Sequence, residues 1–125
     1  MIFYELFQHD PNFLEIKRGE VLLREGDIGE AMYVLIEGQA KIERQGLFFA
    51  EIGPGDFVGE LAVIDGSSRI NTTTATTDCK FVVVDRKRFE YLVVEAPGFA
   101  LEVMRILALR LRRADELLIK AKQHD

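Results

Sequence analysis

At 125 residues the chain has the length of one domain and enough material to bury a core without disulfides or metals. Its 48% hydrophobic and 30% charged residues are ordinary for a globular protein and exclude extended disorder. The net charge of −5 supplies no basic field to recruit nucleic acid, and a single cysteine, Cys79, excludes an internal disulfide or a four-cysteine iron–sulfur cluster.

The expected organisation is one domain over 1–125, with an N-terminal helix in 1–12, a β-roll over 13–85 and C-terminal helices over 86–125. Met1 to Gln8 carries apolar residues at 2, 3, 6 and 7, a helical spacing that ends before Asp10-Pro11. Met1 to Glu5 lacks the charged and apolar regions of a signal peptide. No apolar run approaches a membrane span, Phe81–Val84 being typical of the short ones, so a cytoplasmic protein without membrane contact is expected.

From Phe13 onward, short segments are separated by glycine turns: Phe13–Lys17, Val21–Arg24, Met32–Glu37, Ala40–Arg44 and Leu47–Ile52. Short strands at such intervals predict a sandwich, barrel or roll. After residue 57, Asn71–Thr77 is rich in β-branched threonine and Lys80–Val84 is strongly strand-like, so two closing strands follow.

The stretch that carries chemistry is 57–75, reading FVGELAVIDGSSRINTTTA, which runs into the first of these strands. Gly59 has no Cβ, so backbone there can approach a ligand closely. Glu60 to Ile64 is apolar enough for one short helical turn, whose first N–H groups favour an anion. Glu60 would repel a phosphate if aimed at it, but turned sideways it accepts a hydrogen bond from a sugar hydroxyl. Asp65-Gly66-Ser67-Ser68 makes a polar turn that returns Arg69 over the helix start, where its planar fork suits phosphate oxygens.

The run Phe57, Gly59, Glu60, Leu61, Ala62, a hydrophobic pair, a short loop and Arg69 resembles the phosphate-binding cassette of the cyclic nucleotide-binding domain family. The phrases Lys17-Arg18-Gly19-Glu20, Glu25-Gly26-Asp27, Met32-Tyr33-Val34-Leu35 and Glu37-Gly38 resemble the same family's β-roll. The resemblance implies a mainly β fold with flanking helices, a double-stranded antiparallel, jelly-roll-like β-roll plus a long C-terminal helix. It implies that Glu60 takes the ribose 2′-OH, that Arg69 neutralises the cyclic phosphate, and that backbone amides at Gly59 and Ala62, with Leu61 between, complete the cradle. The chain departs from the family just after Arg69: Ile70 and Asn71 stand where small residues are usual, which removes a hydroxyl contact to the phosphate and crowds the pocket.

Arg86 to Glu95 reads as a helix broken at Ala96-Pro97-Gly98. Beyond it Ala100, Met104, Leu107, Leu111, Ala114, Leu118 and Ala121 form a heptad seam that invites a partner helix. A second line, Phe99, Val103, Ile106 and Leu117, is expected to face the body of the domain. Arg105, Arg110, Arg112 and Arg113 interleave with apolar positions and precede Asp115 and Glu116, a solvated or intersubunit face rather than a nucleic-acid patch. The segment resembles the dimerisation helix of catabolite-activator-like regulators, which implies a homodimer and base contacts near Arg113, Ala114 and Asp115. Those regulators continue into a DNA-binding domain; here no such pattern precedes Asp125, so a free-standing sensor or a piece of a longer regulator is expected.

Enzyme readings fit poorly. A cupin-type metal site needs clustered histidines, and the two present, His9 and His124, lie near opposite ends. Ser67 and Ser68 have no histidine base in the same region, and a haem ligand from His9 or Cys79 is a remote third option. The expectation is therefore a sensor module without metal or cofactor that binds cAMP, in preference to cGMP, and couples it to its C-terminal dimerisation helix. The alternative is a dimerisation scaffold of the same fold that needs no nucleotide.

Overall fold

A computed structural model of the chain describes residues 2–123. Its elements run α1 (Ile2–Phe7), β1 (Phe13–Ile16), β2 (Val21–Leu23), β3 (Ala31–Glu37), β4 (Ala40–Arg44), β5 (Leu47–Ile52), β6 (Phe57–Val58), α2 (Glu60–Asp65), β7 (Thr72–Ala75), β8 (Cys79–Asp85), α3 (Arg86–Glu95) and α4 (Pro97–Gln123). Two compact units result, Met1–Glu90 and Tyr91–Asp125.

The first unit is a roll of two four-stranded antiparallel sheets, ordered β1-β8-β3-β6 and β2-β7-β4-β5. β3 and β8 are central in their sheet and hydrophobic on both faces, as strands covered on two sides must be. One face of the pair, with Leu35 opposite Phe81, packs with Leu23, Ala40, Ile52, Val58, Ala75 and Cys79 in the roll interior. The other face, with Met32 opposite Val84 and Val34 opposite Val82, is equally buried. There α1 supplies Phe3 and Phe7, both buried, and the Phe3 ring meets Phe57 edge-on at 5.1 Å. Each such phenylalanine contributes on the order of 1.5–3 kcal/mol by leaving water.

Asp10, just after α1, pairs with Arg88 of α3, and the Arg88 guanidinium lies 5.3 Å from the centre of the Phe7 ring. Burial alone would raise the Asp10 carboxyl. The hydrogen bonds from Arg88 and the Asn12 amide, with the Arg88 charge, outweigh it and hold the group below the usual carboxylate range.

β4 and β5 meet at Gln45-Gly46, both with positive φ (52° and 77°), the two-residue turn whose twist suits a hairpin. At its tip and along edge strand β5, Leu47, Phe48 and Phe49 are exposed.

The second unit contains the C-terminal half of α3, from Tyr91 on, and all of α4. Proline at the first position of α4 costs no hydrogen bond, because that N–H has no intrahelical partner anyway. Phe99 and Val103 are buried, whereas Leu117, expected to continue their line towards the body, is 68% exposed. That line therefore stops short of Leu117. The seam residues Met104, Leu111 and Leu118 are exposed as well, and Arg105 is paired with Glu102 one turn earlier. No helix of the described residues is long and apolar enough to cross a membrane.

Candidate functional site

The cassette is built on two left-handed glycines. Gly59 opens α2 at φ 82° and Gly66 closes it at φ 74°, its N–H donating to the Ala62 carbonyl. Six helical residues lie between them, with Ala62 and Val63 buried and Ile64 exposed. Asp65 then accepts from the Ser67 amide at 2.9 Å, a local turn that sends the chain back.

That return delivers Arg69 to the start of α2. Its side chain is 7% exposed, and Nη1 donates to the Gly59 carbonyl at 3.1 Å. The guanidinium carbon lies 6.0 Å from the centre of the Tyr33 ring. The backbone is fixed too: Arg69 N donates to the Asp27 carbonyl at 2.8 Å, and Gly26 N donates to the Arg69 carbonyl at 2.7 Å. Glu25 N adds a bond to Thr72 Oγ1 at 3.1 Å, so the loop between β2 and β3 is laced to the end of the cassette.

The loop and the arginine also determine each other's size. A Cβ on Gly29 would sit 2.4 Å from Arg69 Nη2, and one on Gly59 would sit 2.8 Å from Nη1 and 3.1 Å from the Ala31 carbonyl. Neither position tolerates a side chain while the guanidinium stays where it is.

Arg69 takes no part in the ion pairs that join Lys41 to Glu43, Arg88 to Asp10 and Arg105 to Glu102. A cation withdrawn from water with one neutral acceptor is held at a cost that a bound anion would offset.

Of the residues singled out in the sequence, Gly59, Glu60, Leu61, Ala62 and Arg69 come together at one end of α2, with Glu60 buried at 7% exposure. Ile70 is 39% exposed, so its side chain does not occupy the roll interior. Asn71 is half-buried, and its Oδ1 is buried without a hydrogen-bond partner. Arg113, Ala114 and Asp115 lie in the exposed part of α4, in the second unit. Cys79 belongs to the core of the roll, with Sγ 3.1 Å from the Gln39 carbonyl, and burial pushes its thiol up.

Reading the sequence missed Gly29, Tyr33 and the backbone of Gly26 and Asp27. The phrase Glu25-Gly26-Asp27 was visible as a turn, but nothing local tells which distant side chain a turn will meet.

The family described as the cyclic nucleotide-binding domain matches residues 13–95, which take in the whole roll, the cassette and α3. The chain belongs to the cyclic nucleotide-binding domain family. It is 31% identical over 107 residues to a CRP-like cAMP-activated global transcriptional regulator of Mycobacterium tuberculosis, covering 82% of this chain and 48% of that one. It is 32% identical over 105 residues to the lysophospholipase nte1 of Neurospora crassa, covering 80% of this chain but 7% of that much longer one. Among solved structures, the Thermus thermophilus catabolite activator protein superposes with a TM-score of 0.79 at 28% identity, over 85% of this chain and 52% of that one. The chain thus spans about half of the regulators it matches, the part that forms a cyclic nucleotide-binding domain.

Proposed function

We propose that the chain is the sensing module of a regulator, a single cyclic nucleotide-binding domain over 1–125, that binds a cyclic nucleotide and prefers cAMP to cGMP. The observation that carries the reading is Arg69, a guanidinium 7% exposed with no carboxylate paired to it among the described residues. A cyclic phosphodiester carries one negative charge and two free oxygens, which suits a planar fork that has given one donor to Gly59 and keeps others.

In this reading Arg69 and the first-turn backbone at Gly59, Leu61 and Ala62 take the phosphate. Glu60 accepts from the ribose 2′-OH, Ile70 and Asn71 border the ligand, and Arg113, Ala114 and Asp115 approach the base. The preference for cAMP is supported by the name of the M. tuberculosis relative. The chain acts by binding rather than by catalysis. Occupancy passes to α4, which joins two copies through the exposed seam of Met104, Leu111 and Leu118.

Titration calorimetry tests the reading. Micromolar or tighter binding of cAMP that disappears in Arg69→Ala, with an unchanged melting profile, supports it. No heat at millimolar cAMP or cGMP leaves only a dimer-forming scaffold of the same fold.

A further inference from the structure

Asn71 is the residue of the cassette whose chemistry is not accounted for. Along its run Arg69, Thr73 and Ala75 are buried, Ile70 is exposed, and Asn71, Thr72 and Thr74 are half-buried, so the fully buried positions recur at a spacing of two. Asn71 falls in step with the buried members, and its carboxamide oxygen is buried without a partner. A buried acceptor left unmade costs more than the same acceptor would contribute when paired, so a donor is called for. Two residues of chain span at most about 7 Å, so the Cα atoms of Asn71 and Arg69 lie within that distance of each other.

We propose that Asn71 reads the purine of the bound nucleotide and makes the site selective for adenine. This rests on the nucleotide reading of the same site. A carboxamide presents an acceptor beside two N–H donors. Adenine offers the complement along one edge, an N6 amino donor next to the N7 acceptor. Guanine offers two acceptors there, O6 and N7, and would leave Oδ1 as unpaired as before. The side chain that departs from the family's small residue thus replaces a phosphate contact with a base contact. A purine whose six-position carries hydrogen in place of the amino group would lose the donor while keeping phosphate and ribose unchanged.

The test uses the full chain with three ligands: cAMP, cGMP and the cyclic monophosphate of unsubstituted purine riboside. Wild type is expected to bind cAMP roughly tenfold more tightly than the unsubstituted analogue, the scale of leaving one buried acceptor, Oδ1, unpaired. Asn71→Ala should lose about the same factor for cAMP and little for the analogue or cGMP. Equal weakening of all three ligands by Asn71→Ala, or no change for cAMP, overturns the proposal while leaving phosphate recognition intact. Should Asn71→Ala fail to fold, the wild-type comparison decides alone: equal affinity for cAMP and the analogue overturns base reading. Wild-type protein that binds none of the three ligands removes this inference together with the sensing function.

Discussion

The guanidinium of Arg69 donates to the carbonyl oxygen of Gly59 at 3.1 Å, closing the cassette on itself across ten residues. The bond holds the side chain at the start of α2 before any ligand arrives, so part of the ordering cost of binding is already met. It also holds a cation out of water, which burdens the ligand-free fold.

That burden gives the first prediction. Arg69→Met removes the buried charge and keeps most of the volume, so the ligand-free protein should be as stable as wild type or more so, while cyclic-nucleotide affinity falls at least tenfold. Thermal unfolding without ligand checks the first half. A drop of several degrees would mean that the charge is balanced within the fold.

Gly29 and Gly59 should fail differently. Gly59 sits at φ 82°, so Gly59→Ala strains the backbone by about 1–2 kcal/mol and crowds Arg69 as well. Gly29 has no such backbone restriction, and its clash is with the guanidinium alone. Gly29→Ala should therefore weaken binding, and it should cost stability only through displacing that guanidinium. In a double-mutant cycle its effect on stability should vanish in the Arg69→Ala background. An additive cycle would show that the loop, rather than the arginine, feels the methyl group.

Glu60→Gln should weaken nucleotide binding by about 1 kcal/mol or more, because a charged acceptor becomes a neutral one. The 2′-deoxy nucleotide should lose a similar amount against wild type and little further against the variant. A full second loss against Glu60→Gln would mean that the hydroxyl is held by another group.

Asp10 should contribute to the acid limit of the roll. Its carboxyl is held below its ordinary value of 3.8, so the stabilisation it gives is fully present above that value and is lost as pH falls through the lower folded-state value. Asp10→Asn should cost about 1–3 kcal/mol at neutral pH, the scale of a hydrogen bond to a charged group, and should flatten the stability profile below pH 4. Denaturant midpoints at neutral pH and near pH 3 measure both. An equal acid slope in the two proteins would assign the acid limit to other carboxylates.

The hairpin of β4 and β5 was predicted at its observed boundaries, because alternation and a Gln45-Gly46 turn are local signals. The short helix from Glu60 and the return of Arg69 were also legible, since glycines bracket the first and a polar turn forces the second. β6 was not: two residues, Phe57 and Val58, become a strand only because Val34 and Tyr33 lie opposite them. Gly29 reads as one more turn glycine, and its role against Arg69 spans forty residues of sequence. Leu117 repeats the spacing of Phe99 and Val103, yet periodicity cannot say where along a 27-residue helix burial ends.

The central claim is that the buried Arg69 fork meets a cyclic phosphate. Phosphorus NMR of cAMP titrated with the full chain addresses that atom directly. The account predicts a displaced phosphorus resonance with wild type and one at the free-ligand position with Arg69→Ala. A resonance unmoved by wild type while the base protons show binding, or displaced equally by Arg69→Ala, would contradict it.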